Sequence, residues 1–170
     1  MPRESMEVGI VVERRRLNNP WVDHAWAPVA VLPGAPAAPP WTILDAGPEA
    51  TRFYAGALTL EFFGSDTSTY RDNLRSGRPS LWVSLRQTDS EPGIALQSVT
   101  ADPAEGEALT EPGTDIVEQV PMPEEIAARL AAFVEAHHVE RIFFKRKRDR
   151  ADPEALAVRP GGRDSREADE

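Results

Sequence analysis

The sequence predicts an α+β fold: a mainly antiparallel curved sheet or incomplete barrel, carrying one long amphipathic helix (about 123–139) and two short helices. Three observations lead there. Segments alternating with a period of two outnumber those with a helical period. Strands and helices do not alternate regularly, as a doubly wound parallel sheet would require. One stretch alone, near the C-terminal end, holds a helical apolar period over several turns.

Taken in order, Met6, Val8, Ile10 and Val12 alternate and read as a first strand over 6–13, broken by Asn18-Asn19-Pro20. Pro28–Leu32 reads as a second strand. Residues 33–40 hold four prolines in eight positions, which makes a stiff surface loop. A short strand is expected at 41–44, before the turn at Gly47-Pro48. A longer one is expected at 52–63, with Tyr54, Leu58, Leu60 and Phe62 on one face. Asp66 is placed to cap a short helix that carries Tyr70 and Leu74 on one face and stops at Gly77. Further strands are expected at 81–86, 94–99 and 116–120.

Between the last two, Asp102-Pro103-Ala104-Glu105 has the order of a helix start: a capping carboxylate, a proline at the first position, and a glutamate able to reach back. The long helix places Ile126, Leu130, Phe133, Val134 and His137 at helical spacing. Ile142-Phe143-Phe144 reads as a last strand or an apolar clasp. Residues 6–149 therefore make one domain. Residues 150–170, rich in Pro, Gly and both signs of charge, are expected to be a disordered tail.

Composition narrows the function classes. The chain of 170 residues has no cysteine, which excludes disulfides, thiolate metal sites and a cysteine nucleophile. A net charge of −9 argues against broad nucleic-acid binding. No apolar run reaches the length of a bilayer span, and no signal-peptide core follows Met1, so a cytoplasmic location away from membranes is expected. Gly-rich phosphate loops, the Gly-x-Ser-x-Gly elbow and His-Glu-x-x-His are missing, and nothing nominates catalytic residues, a metal or a cofactor.

The candidate binding residues form two groups. Arg14, Arg15 and Arg16 precede Trp21, Asp23, His24 and Trp26. The indoles read either as core or interface anchors beside a hydrogen-bonded His24, or as a binding surface, aromatics being common in contact patches. Lys145, Arg146 and Arg148 lie in a second basic cluster. The pair Asp23 and His24 has the residue types of a general base and its orienting group. Neighbours in an extended chain point to opposite faces, however. His137 and His138 are adjacent on the long helix, and only His137 with Glu140 has a spacing that suits a helical metal pair. His137, on the apolar face, is expected to be buried and hydrogen-bonded.

Several blocks carry a family resemblance: Val12-Glu13-Arg14-Arg15-Arg16, Asn19-Pro20-Trp21, Asp23-His24-x-Trp26-x-Pro28, Tyr54-Ala55-Gly56-x-Leu58-x-Leu60 and Asn73-Leu74-x-Ser76-Gly77-x-Pro79-x-x-Trp82-Val83. Val120-Pro121-Met122-Pro123 and Ala132-Phe133-Val134-x-x-His137-His138-Val139 complete it, before Lys145-Arg146. In these blocks, from about 7 to 149, the chain resembles a bacterial domain-of-unknown-function family encoded beside molybdenum-dependent formate dehydrogenase genes. The resemblance implies a non-enzymatic accessory factor that assembles or matures such a dehydrogenase by protein–protein contact, with a dehydrogenase subunit or another accessory protein as partner. Some members are labelled molybdopterin-guanine dinucleotide biosynthesis protein A. That label implies an alternative, an enzyme or cofactor-binding protein of molybdenum cofactor biosynthesis. In this sequence Val8-Gly9-Ile10-Val11 and Glu13 stand where that nucleotidyltransferase has a Gly-rich loop with Arg and Lys.

Overall fold

Alternation along the first strand sets the architecture: Met6, Val8, Ile10 and Val12 are all buried, while Ser5 and Glu7 are exposed. The computed structural model describes residues 1–111 and 113–139. Within them the strands are β1 (Arg3–Arg16), β2 (His24–Leu32), β3 (Thr42–Ala46), β4 (Ala50–Phe63), β5 (Ser80–Gln87), β6 (Ile94–Thr100) and β7 (Asp115–Pro121). The helices are α1 (Thr67–Arg75), α2 (Pro103–Thr110) and α3 (Glu124–His137), and a single 3-10 turn, Gly64–Asp66, precedes α1.

The strands form two antiparallel sheets, one ordered β2-β1-β4-β3 and the other β6-β5-β7. The fold is therefore α+β, but neither one curved sheet nor a closed barrel. Although β2 lies against β7 and β4 against β6, no hydrogen-bonded ladder joins the two sheets. Bulges interrupt the larger sheet on both sides of β1. Its register with β1 slips by one residue on both sides, at Val29 in β2 and at Ala55 in β4, next to Gly56 with φ +133°. An extra residue bends a strand and strengthens its twist.

Both sheets and two of the helices share one core. Ile10, Leu60 and Phe62 from the larger sheet meet Leu81, Val83 and Leu85 from β5, and Tyr70 of α1 packs with Ile126, Leu130 and Phe133 of α3. Complete burial of each such side chain contributes roughly 1.5–3 kcal/mol before entropy is counted. On the outer face of the larger sheet the proline loop 33–40 folds back over β1. A Cβ at Gly9 would stand 3.0 Å from the Tyr54 ring, 3.1 Å from the Gly34 carbonyl oxygen and 3.2 Å from Pro36, so any side chain there would crowd all three.

Local starts and stops depart from expectation in four places. Asp66 precedes α1, but its carboxylate accepts from Ser65 Oγ at 3.3 Å and caps no backbone N–H. The α2 start keeps its Asp cap, with Ala104 N–H donating to Asp102 Oδ1 at 2.9 Å. The glutamate closes the box indirectly: Asp102 N–H donates to Thr100 Oγ1, which in turn donates to Glu105 Oε2. The expected long helix over 123–139 is shorter. Pro123 keeps an extended ψ of 145° and His138 is already extended at ψ 122°. His138 leaves the helical conformation where its ring is held from both sides, by Thr67 Oγ1 at 3.1 Å and Arg71 at 3.0 Å. Finally, β1 runs three residues past Glu13 and β2 begins at His24, so the arginines and His24 lie within strands. The expected element at 142–144 and the tail 150–170 lie outside the described residues.

Candidate functional site

The β1–β2 hairpin carries the first candidate group. Along one face of β1, burial falls from Val12, fully buried, through Arg14, half-buried, to Arg16, exposed. Strand pairing sets Arg14 opposite Trp26 and Arg16 opposite His24, and directly opposed residues share a face. The hairpin closes with Leu17 N–H donating to the Asp23 carbonyl at 2.9 Å. Inside the loop, Trp21 N–H donates to Asn19 Oδ1 at 2.9 Å, an Asx turn. This geometry leaves Trp21 89% exposed at the tip, beside an exposed Val22.

Behind the tip sits an aromatic corner. The ring centroids of Trp26, Trp41 and Phe53 are 5.7, 5.8 and 5.9 Å apart in pairs, with Trp41 edge-on to the other two. Such contacts add about 0.5–1.5 kcal/mol per pair beyond simple burial. The Arg14 guanidinium lies 5.7 Å from the Trp26 centroid and 5.2 Å from that of Phe53, within cation–π reach of both. Trp41 reaches the corner through a left-handed backbone, φ +68°, fixed by its N–H to the Tyr54 carbonyl at 2.6 Å. A bulky residue there costs of order 1–3 kcal/mol, and such strain concentrates at functional positions.

The opposite face of the same strands is electrostatically closed. Glu13 accepts from Arg15 Nη2 at 3.1 Å and from Arg52 Nε at 3.1 Å. The three consecutive arginines thus divide by pleat: Arg15 is paired, whereas Arg14 and Arg16 have no carboxylate partner among the described residues.

The remaining candidates lie elsewhere. Asp23 and His24 are both exposed, and no hydrogen bond joins their side chains among the described residues. His137 is not buried as expected. It is exposed, resting against the Phe133 ring at a centroid distance of 4.8 Å, because its position falls at the rim of the α3 apolar face. His138 is the half-buried histidine. It stands by Thr67, next to the turn that Gly64 N–H ties to the Pro2 carbonyl at the start of β1, whereas His24 pairs with Arg16 at the end of β1. Fourteen residues of strand separate those ends, roughly 40 Å at about 3.3 Å per residue. The histidines therefore do not converge on one cleft. No group of three or more His, Asp or Glu among the described residues is arranged to hold a metal ion. Glu140, Lys145, Arg146 and Arg148 lie outside the described residues.

Sequence reasoning missed Trp41 and Phe53. Strict alternation along 52–63 put Tyr54 inward, yet the extra residue at Ala55 lets Phe53 and Tyr54 both be buried, on opposite faces. Gly56 inside a strand pattern was the available signal, since an isolated strand glycine flags a bulge.

Two groups with raised pKa, Tyr70 and Asp66, lie at the other end of β1, by the start of α1. Burial pushes the Tyr70 phenol up to about 12, aided by Asp66, Asp102 and Glu105 nearby and opposed by the Phe63 N–H that donates to it at 3.0 Å. Burial, then the charge of Asp102, raises Asp66. Tyr70 serves the packing of α1 against its neighbours, and no group arranged to hold a metal ion adjoins either residue among the described residues.

Among the described residues no helix is long and apolar enough to cross a membrane. No curated protein and no solved structure matches the chain. Residues 7–148 match the family described as Protein of unknown function (DUF3305), a span that begins within β1 and includes the Arg14–Trp26 hairpin and α1 to α3, and the chain belongs to that family.

Proposed function

We propose that the chain is a non-enzymatic accessory factor that works by protein–protein contact, with the aromatic and arginine end of the β2-β1-β4-β3 sheet as its contact surface. The observation that carries this reading is Trp21, 89% exposed at the hairpin tip in front of a corner where Arg14 stacks on Trp26 and Phe53. Tryptophan and arginine are the side chains that most often supply contact energy. Further exposed apolar residues, Ile43 and Leu44, stand on β3 of the same sheet. The separation of His24 from His138 supports binding over acid–base chemistry.

On the family resemblance, the partner is a subunit of a molybdenum-dependent formate dehydrogenase or another of its accessory proteins, and the contact serves assembly or maturation in the cytoplasm. The test is affinity capture of the tagged protein from its native host, with mass spectrometry and molybdenum analysis of what is retained. Wild type is expected to retain a dehydrogenase subunit. Trp21→Ala is expected to lose it with an unchanged melting temperature, because the exposed indole contributes nothing to the core. Absence of any dehydrogenase or accessory protein under mild conditions overturns the reading. Retained molybdenum without a protein partner favours the cofactor-handling alternative.

A further inference from the structure

The pleat that separates the three arginines also specifies what the contact surface takes. Arg14, Arg16, His24 and Trp26 share one face of the hairpin, while the Glu13 carboxylate that neutralises Arg15 and Arg52 points the other way. That face therefore holds two guanidinium groups without a carboxylate partner among the described residues, in a chain of net charge −9. Elsewhere Arg3 pairs with Glu61, Arg86 with Asp115 and Arg129 with Glu4, while the exposed Arg75 and Arg78, like Arg14 and Arg16, have no carboxylate partner among the described residues. What sets Arg14 and Arg16 apart is that they share one strand face with Trp26.

Resting on the accessory-factor reading, we propose that this face seats an extended acidic segment of a protein partner. Geometry and charge both point to it. Arg14 and Arg16 are two residues apart on one strand face, roughly 6.6 Å at about 3.3 Å per residue. Alternate side chains of an extended peptide have that same spacing, so successive acidic residues in an acid-x-acid pattern meet successive guanidiniums. Arginine forks suit carboxylates through paired N–H donors. Arg14 is also pre-positioned, its guanidinium lying within cation–π reach of both Trp26 and Phe53. Trp26 and the tip residue Trp21 supply apolar surface for residues that flank the acidic pair. A nucleic acid fits less well, since two open guanidiniums in a strongly acidic chain release few counterions.

Fluorescence anisotropy with the full chain tests this, using a labelled ten-residue peptide in which Glu alternates with Leu and, as its neutral counterpart, one in which Gln alternates with Leu. The Glu peptide is expected to bind and the Gln peptide to bind at least tenfold more weakly, with the difference shrinking as salt rises. The paired substitution Arg14→Gln and Arg16→Gln is expected to weaken Glu-peptide binding at least tenfold. Arg15→Gln with Arg52→Gln, on the opposite face, is expected to change it less than twofold. Arg16→Gln alone, at an exposed position outside the aromatic corner, keeps the test valid if Arg14→Gln unfolds the corner, and is expected to weaken binding about threefold or more.

Failure to bind the Glu peptide, equal binding of both peptides, or equal loss from either pair of variants overturns the proposal. Tighter binding of single-stranded DNA or of phosphatidylserine vesicles than of the Glu peptide overturns it as well. The two readings fail separately. A dehydrogenase subunit captured from the host by a protein that ignores the Glu peptide leaves the accessory role standing and removes the acidic segment. Face-specific peptide binding without a captured subunit does the reverse.

Discussion

At the scale of single residues, the polar groups that matter most are those buried with all their partners in place. Asn73 is buried on α1 and makes three hydrogen bonds: its amide donates to the Ser80 and Ala101 carbonyls at 2.8 and 2.9 Å, and its oxygen accepts from Ser80 N–H at 3.0 Å. One side chain thereby ties a helix to the ends of two strands of the smaller sheet. Tyr70, one turn earlier, packs its ring on Phe62 and Phe133 and accepts from Phe63 N–H through its hydroxyl. Tyr70→Phe keeps the ring and orphans that N–H, so unfolding by urea at pH 7 should show a loss of about 1–2 kcal/mol. The same hydroxyl sets an alkaline limit. Its pKa is raised in the folded state to about 12, from an ordinary value of 10.0, so between those values the folded chain holds a proton that the unfolded chain has released. Stability attributable to Tyr70 is complete below pH 10 and declines as pH climbs toward 12. Melting curves across that window should fall more steeply for wild type than for Tyr70→Phe, and parallel curves would sink the assignment.

At the scale of elements, α2 shows how a helix of low apolar content is held. Its start is fixed by the Asp102 cap and the Thr100–Glu105 relay, and its middle by Gly106 lying flat on Trp82. A Cβ at position 106 would stand 2.3 Å from Trp82 Cγ, closer than any real contact. Gly106→Ala improves helix propensity by about 1 kcal/mol. Displacing α2 or the indole outweighs that gain, since overpacking costs about 1–3 kcal/mol and this clash is with the ring itself. Urea unfolding is expected to show a net loss of about 1–2 kcal/mol, and an unchanged or stabilised protein would mean that α2 is free to lift.

The Asp-Pro-Ala-Glu start of that helix was legible in the sequence, as was the alternation of Met6 to Val12, because both are local patterns. The division into two sheets was not legible, since which strand edges pair is decided by long-range packing. Nor was the end of α3, which falls where Thr67 and Arg71 of another helix hold the His138 ring. At the candidate site the arginine run and Trp26 stood out as a cluster. Their sorting into an open and a paired face needed the strand extension to Arg16, and their aromatic support needed the bulge beside Gly56.

At the scale of the whole molecule, the strand order places rigidity and exposure in different regions. β1 is bonded on both sides, by β2 and β4, and β5 is bonded on both sides by β6 and β7. The inward side chains at their centres, Val8, Ile10, Val12, Leu81, Val83 and Leu85, are all fully buried. By contrast β3 is a five-residue outer strand, bonded on one side only, with a register slip between Ile43 and Asp45 and exposed apolar side chains at Ile43 and Leu44. A short, bulged strand with a charge in it is a poor template for uncontrolled pairing. Its openings are also the least costly in the fold, because few buried contacts resist them. The hairpin tip at 17–23 is held by two hydrogen bonds, Leu17 N–H to the Asp23 carbonyl and Trp21 N–H to Asn19 Oδ1. Native-state hydrogen exchange should therefore rank the amides of β1 from Val8 to Val12 and those of central β5 as slowest, exchanging only with global unfolding. Those of β3 and residues 17–23 should exchange faster by at least a hundredfold. A partner seated on the Arg14–Trp26 face is expected to slow the tip and leave central β1, already at the global limit, unchanged except for its gain in overall stability. Equal protection of β3 and β1 in the free protein would show that the docking end is as rigid as the core, and that binding there orders nothing.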